Sequence, residues 1–346
     1  MKTEDEPSTQ STARVFSTAL ESSENSPQPI ICPPVSLFPP QHFIYVDDRL
    51  IAGLTCYPAT PRHTLAILRQ SDVGLFSLEK RDFMRILLKI VEIAATLRGF
   101  YNVGRCALVT EGGNTLSILP LHGLDQEWQP ITSHVKEFHE MFPGYISSRD
   151  GPQMDNTRLD NICSTIKKVS GTSQPFNCHF QGDKSDDNLF ARIVKGGLQH
   201  RRVWEDDEHI AFLTPFANTP GFTVLVPRAH HSSDIFSLDK QAYSELVAAA
   251  YTVAGILKKA FRISRCGMIF EGFEIDYAHV KLIPIHEATG SAKTSPPLGE
   301  PAYEYKYQGY VTSLNGPLMT DTKSLTSDAS AIRTSLQGGN IKTPKS

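Results

Sequence analysis

The chain has 346 residues, 40% of them apolar and 21% charged, and a formal net charge of −3. That length holds two ordinary domains, and so small a net charge gives no general electrostatic drive toward nucleic acid or an anionic membrane. Its six cysteines are scattered without CxxC pairs. This argues for free thiols in a reducing cytoplasmic or nuclear setting and against a zinc site or a disulfide framework. No apolar run reaches the length of a membrane span, and the first residues lack the basic and apolar regions of a signal peptide.

Residues 1–38 are rich in Ser, Thr, Glu, Gln and Pro without an apolar period, and disorder is expected there. Residues 39–152 form the first folded unit. It opens with β-like runs at 48–55 and 64–68, punctuated by Pro and Gly as in a hairpin. A helix follows, for which Ser77 is the candidate N-cap. Its apolar face is Phe83, Ile86, Leu87, Ile90, Ile93, Ala94 and Leu97, spaced three and four apart. Two more strands, at 106–110 and 116–119, complete the unit. Residues 153–187 read as a linker with a short helix at 159–169.

Residues 188–318 then repeat the first unit. The run FSLEKRDFM beginning at Phe76 answers FSLDKQAYS beginning at Phe236, 160 positions later. Arg105-Cys106 answers Arg265-Cys266, and Glu111-Gly112 answers Glu271-Gly272, at the same offset. The closing Gly151-Pro152 answers Gly316-Pro317. One order of matches at nearly one offset identifies a tandem duplication. The second copy reads as strands at 209–213 and 223–227, a helix opened by Ser237, and strands at 267–270 and 278–283. Strand-strand-helix-strand-strand, twice, predicts an α+β fold in which each copy is an antiparallel sheet crossed by one helix. Residues 319–346 are polar and read as a mostly disordered tail with a short helix at 323–332.

The stretch at 276–286 is the most informative. At period two, Ala278, Val280 and Leu282 make an apolar row, while Tyr277, His279 and Lys281 line the opposite face. A phosphate site uses such a row; an edge strand with a wet face explains it equally well.

Four ordered segments of the second copy resemble the histidine-triad (HIT) family of nucleotide hydrolases and transferases. Residues 188–194 resemble the family's opening strand-turn. Val203-Trp204-Glu205-Asp206-Asp207 through Phe212 resembles its "YEDD…AFL" strand. Residues 219–230 are similar to its "PGH-x-L-V-I-P-K-x-H" segment, and 277–283 stand where the family has His-x-His-x-His followed by two apolar residues. With Pro284 as anchor, the three triad places are Tyr277, His279 and Lys281. The resemblance then implies that His279 is the nucleophile and that Tyr277, Lys281, His286 and His230 support it or bind phosphate. The usual ribose-contacting Asp is replaced by Thr214. Phe212, Leu213, Thr214 and Asn218 are the nucleotide-binding candidates, although Phe212 and Leu213 also suit plain core, His230 a turn, and His286 a strand end. No metal or cofactor is expected.

By this resemblance, neutral His279 attacks the α-phosphorus of a purine nucleotide or dinucleotide and forms a nucleotidyl-histidine intermediate. Three outcomes stay open: a hydrolase of phosphoramidates or dinucleoside polyphosphates, a nucleotidyl transferase or phosphorylase, and a nucleotide-binding or scaffold protein without turnover. In the first copy, Thr115 falls opposite His279 and Ser117 opposite Lys281, and the loop carrying Glu274–Tyr277 is missing. That copy reads as a structural partner, joined to the second in an intramolecular pseudo-dimer.

Overall fold

The structure, a computed structural model, describes residues 38–70, 73–125, 127–198, 200–287 and 299–338. The tail expected at 1–38 lies outside the described residues except for Phe38, as does 339–346. None of the described helices is long and apolar enough to cross a membrane.

The first copy consists of β1 (Phe43–Val46), β2 (Leu50–Leu54), β3 (Thr64–Leu68), α1 (Lys80–Tyr101), β4 (Arg105–Thr110) and β5 (Thr115–Leu121). The linker carries α2 (Asn156–Ser170). The second copy begins with α3 (Leu189–Val194) and continues with β6 (Arg201–Glu205), β7 (His209–Leu213), β8 (Thr223–Pro227), α4 (Lys240–Phe261), β9 (Cys266–Phe270) and β10 (Val280–Pro284). Last comes α5 (Lys323–Gln337). Each copy thus has one strand more than the sequence pattern indicates, because β1 and β6 add outer strands that pair with β2 and β7.

All strands join one ten-stranded antiparallel sheet in the order β1-β2-β3-β5-β4-β9-β10-β8-β7-β6. The copies meet at β4 and β9, where Leu108 pairs with Phe270, Val109 with Ile269 and Thr110 with Met268. Helices α1 and α4 pack on this sheet and on each other. Every apolar position read from the 3.6-residue period in α1 is buried, from Phe83 to Leu97, and α4 buries the equivalent face from Tyr243 to Leu257. The Tyr243 hydroxyl donates to the Leu87 carbonyl and the Tyr251 hydroxyl to the Leu78 carbonyl, so hydrogen bonds as well as apolar contacts join the copies.

The helix starts differ from the expected ones. The N-caps are Glu79 and Asp239, and the Asp239 carboxylate accepts from the N–H groups of Gln241 and Ala242. Ser77 and Ser237 end short 3-10 turns ahead of the helices and serve the interface instead. Arg98 donates to the Ser237 hydroxyl and Lys258 to the Ser77 hydroxyl, each at 2.8 Å, a basic residue of each helix reaching into the other copy.

The ladders confirm how the copies align. Ser117 pairs with Leu65 in the first copy as Lys281 pairs with Val224 in the second, one place along from Thr64 and Thr223 respectively. Thr115 therefore occupies the His279 position.

The closing segments cross over. In the first copy, the Gly151 N–H donates to the Phe216 carbonyl, and Asn218 Nδ2 donates to the carbonyls of Ser147 and Arg149. In the second, the Gly316 N–H donates to the Tyr57 carbonyl and the Met319 N–H to the Cys56 carbonyl. Each copy thus lays its closing arm over the hairpin loop of the other. A Cβ on Gly151 would stand 2.0 Å from the Ala217 oxygen, and one on Gly316 1.7 Å from the Pro58 oxygen. This close approach accounts for a glycine at the same point of both arms.

Three further segments depart from expectation. Residues 189–194 form α3, with the Asn188 side chain accepting from the Phe190 N–H, where a strand-turn was expected. The linker helix α2 is longer than expected; Asp155 caps it, and Leu159, Cys163 and Ile166 are buried. Finally, α5 continues to Gln337 and packs on β1 and α1 through Leu325, Ala329 and Ile332. That apolar row suffices to dock residues that a polar composition suggested were loose.

Candidate functional site

Strand β10 is narrower than its sequence pattern. It starts at Val280, because the backbone before it bonds to loops rather than to β8: the Ala278 N–H donates to the His231 carbonyl, and Asn188 Nδ2 donates to the Asp276 carbonyl. His279 thus sits at the mouth of the strand and Lys281 one pleat further in. Both line a cavity of about 360 Å³. Its apolar wall is built from Phe190 and Ile193 of α3, Phe212 and Leu213 of β7, and Phe222 and Val224 at β8. The Phe190 ring packs edge-on against Phe212 and against the His279 imidazole, with centroids 5.6 and 5.3 Å apart. Polar side chains in the lining include Asp150, Glu274, Lys281 and His279.

His279 is only 3% exposed. Its Nδ1 lies 2.7 Å from the Tyr277 carbonyl oxygen. A carbonyl can only accept, so Nδ1 carries the proton and Nε2 holds the lone pair. Among the described residues Nε2 makes no hydrogen bond. Burial, then the charge of Lys281, lowers the imidazole pKa and keeps the ring neutral, against an opposing pull from its backbone hydrogen bond. The ring is thus held in one orientation at the cavity, with Nε2 unprotonated.

Lys281 is committed elsewhere. Its Nζ lies 3.2 Å from Glu271 Oε2 and 3.3 Å each from Glu274 Oε2 and the Ser148 carbonyl, so three acceptors match its three protons. Burial pulls it toward the neutral amine, but the two carboxylates together prevail and hold its pKa above that of an ordinary lysine. Glu271 is buried and also accepts from the hydroxyls of Ser148 and Tyr307. The Glu274 side chain is 39% exposed at the cavity, and Lys281 holds its carboxyl below the usual range against the effect of burial. Carboxylates therefore outnumber the one lysine beside His279.

Of the other residues singled out from sequence, Phe212, Leu213 and Thr214 line the cavity with His279 and Lys281. Tyr277 does not. It is fully buried, and its hydroxyl donates to the Pro227 carbonyl at 2.8 Å while its ring stacks on His230. His230 bridges the Asp186 carboxylate and the Asp276 carbonyl, both at 2.7 Å, and fixes the loop ahead of β10. His286 lies past the far end of β10, against the Pro220 carbonyl and the Phe261 ring. Asn218 clamps the crossed arm from outside the cavity.

Sequence reasoning passed over Phe190, His200, Arg201, Asp150 and Glu274 as cavity residues. Glu274 could have been flagged, since it lies in the loop that the first copy lacks. Asp150 directly precedes the repeated Gly-Pro, but its place depends on the arm crossing, which spacing does not encode.

Residues 195–287 match the family model described as the HIT domain. An uncharacterized HIT-like protein of Methanocaldococcus jannaschii is 26% identical over 106 residues, covering 30% of this chain and 81% of that protein. The solved structure of SMU.412c from Streptococcus mutans UA159 is 26% identical, with a TM-score of 0.29, covering 36% of this chain and 80% of its own. A uridylyltransferase structure, 15% identical with a TM-score of 0.41, covers 80% of this chain and 76% of its own. The part of the chain that carries His279, Lys281 and most of the cavity wall is a HIT domain.

Proposed function

We propose that the second copy binds a purine nucleotide and transfers its nucleotidyl group through His279, with the first copy as its intramolecular partner. The observation that carries this reading is the pinned imidazole, with Nδ1 donating to the Tyr277 carbonyl and Nε2 free in the cavity. The base lies among Phe190, Phe212 and Phe222, and the α-phosphorus lies at Nε2. Attack forms the N–P bond and expels the leaving group; attack on the intermediate by an acceptor then breaks the N–P bond and returns the lone pair to Nε2. With water as acceptor the protein is a hydrolase of a phosphoramidate or dinucleoside polyphosphate. With phosphate or a sugar phosphate it is a phosphorylase or transferase.

A second reading is nucleotide binding without turnover. The full commitment of Lys281 to Glu271, Glu274 and the Ser148 carbonyl favours it, because this lysine then has no proton to spare for the phosphate oxygens.

The two readings separate in a trapping assay. Wild type and His279→Ala are incubated with α-labelled adenosine and guanosine nucleotides and quenched in base, where a phosphoramidate survives. Label on wild type alone is the expected result. Unlabelled protein that still binds nucleotide favours the second reading, and no binding by either form refutes both.

A further inference from the structure

His279 and Lys281 belong to the second copy, but one carboxyl lining the cavity does not. Asp150 arrives on the crossed arm of the first copy, outside the matched HIT domain. The arm is firmly held: the Gly151 N–H donates to the Phe216 carbonyl at 2.7 Å, the Glu137 N–H to the Asp150 carbonyl at 3.0 Å, and Asn218 clamps the residues before it. The Ser148 carbonyl, two residues upstream, accepts from Lys281 itself.

The ionisable groups lining the cavity differ in what they are free to do. Glu274 is paired with Lys281, and Arg201 with Asp160. His200 donates from Nδ1 to the Leu198 carbonyl, while its Nε2 accepts from Arg202. The Asp150 carboxyl, by contrast, makes no hydrogen bond or ion pair among the described residues. It is the one ionisable side chain lining the cavity without such a partner among those residues.

We propose that Asp150 is the acid–base residue of the reaction at His279, supplied to the second copy's site by the first copy. This rests on the nucleotidyl-transfer reading. In the first step the Nε2 lone pair forms the N–P bond, the bond from phosphorus to the leaving group breaks, and the carboxylic proton of Asp150 passes to the departing atom. In the second, the Asp150 carboxylate takes a proton from water, the water oxygen bonds to phosphorus, and the N–P bond breaks back to Nε2. The charges around the carboxyl suit the role. Burial, then the negative Glu274, raises its pKa to about 6, with Glu271 adding to the rise and Lys281 and Lys136 opposing it.

The test compares two probes with the full chain: adenosine 5′-p-nitrophenyl phosphate, whose leaving phenolate needs no proton, and an alkylamine phosphoramidate of adenosine monophosphate, whose leaving amine does. Asp150→Asn is expected to cut turnover of the amidate on the order of a hundredfold. It should leave the initial burst of nitrophenolate in place and accumulate label on His279, because water is no longer activated. Wild-type cleavage of the amidate should fall as pH rises through about 6, and the variant should lack that limb. Loss of the nitrophenolate burst as large as the loss on the amidate, or no loss on either probe, overturns the role of Asp150 while leaving the histidine intermediate standing. A wild type that never acquires label refutes the nucleotidyl-transfer reading and the role of Asp150 with it.

Discussion

Val109 and Ile269 pair across the middle of the sheet, and they are the same position in the two copies, 160 residues apart. Their neighbours follow: Leu108 faces Phe270, the counterpart of Thr110, and Thr110 faces Met268, the counterpart of Leu108. A pseudo-two-fold axis therefore passes through this pair. It generates the helix contact, the Arg98–Ser237 and Lys258–Ser77 bonds, and the exchanged arms.

The arm crossing depends on two glycines. Gly151→Ala puts a Cβ 2.0 Å from the Ala217 oxygen, and Gly316→Ala one at 1.7 Å from the Pro58 oxygen. Backbone must move in either case, at a cost of about 3 kcal/mol. Urea unfolding should show both losses. Only Gly151→Ala should also weaken nucleotide binding, since its arm borders the cavity.

Removing the Lys281 ammonium leaves Glu271 buried without its cation. Lys281→Met should destabilise the fold by about 3 kcal/mol. Glu274→Gln should change stability by well under about 1 kcal/mol, because that carboxylate is partly solvated. It should nevertheless tighten nucleotide binding several-fold by removing a negative charge from the cavity, which titration calorimetry would register.

Asp150 has a stability signature separate from any catalytic role. Its folded-state pKa, about 6, lies above the unfolded value, so its contribution is most favourable at low pH and is lost as pH rises through about 6. Asp150→Asn should match wild type near pH 4 and exceed it by about 1 kcal/mol at pH 8, a figure reduced because the side chain is half-buried. Thermal melts across that range would show the gap opening. A constant gap would mean that the carboxyl titrates normally.

Helix α5 is part of the fold. Ile332 is fully buried, and Ile332→Ala should cost about 2–4 kcal/mol by opening a cavity beneath β1. Truncation before Lys323 should cost more and raise hydrogen exchange in β1 first.

The most legible features in the sequence were those with a period or a repeat. The face of α1 followed from 3.6-residue spacing, and the match of Thr115 to His279 followed from aligning the two copies, which the strand ladders reproduce. Legibility failed where a residue's partner lies far along the chain. Alternation put Tyr277 beside His279, but the backbone there follows the loop at His231 and sends the hydroxyl to Pro227. Ser77 and Ser237 have N-cap chemistry, yet their hydroxyls are taken by the opposite helix. The six residues of α3 are too few for a helical period to emerge.

Fusion of the copies also changes what substitution can do. In a dimer of identical chains every mutation appears on both sides of the axis, so a face cannot lose its histidine while its mate keeps one. Here the two sides are encoded separately, and their encounter is intramolecular at any dilution. One half carries His279, while the other holds Thr115 there and lays an arm over its neighbour. A division of labour that identical subunits cannot inherit is written into a single reading frame.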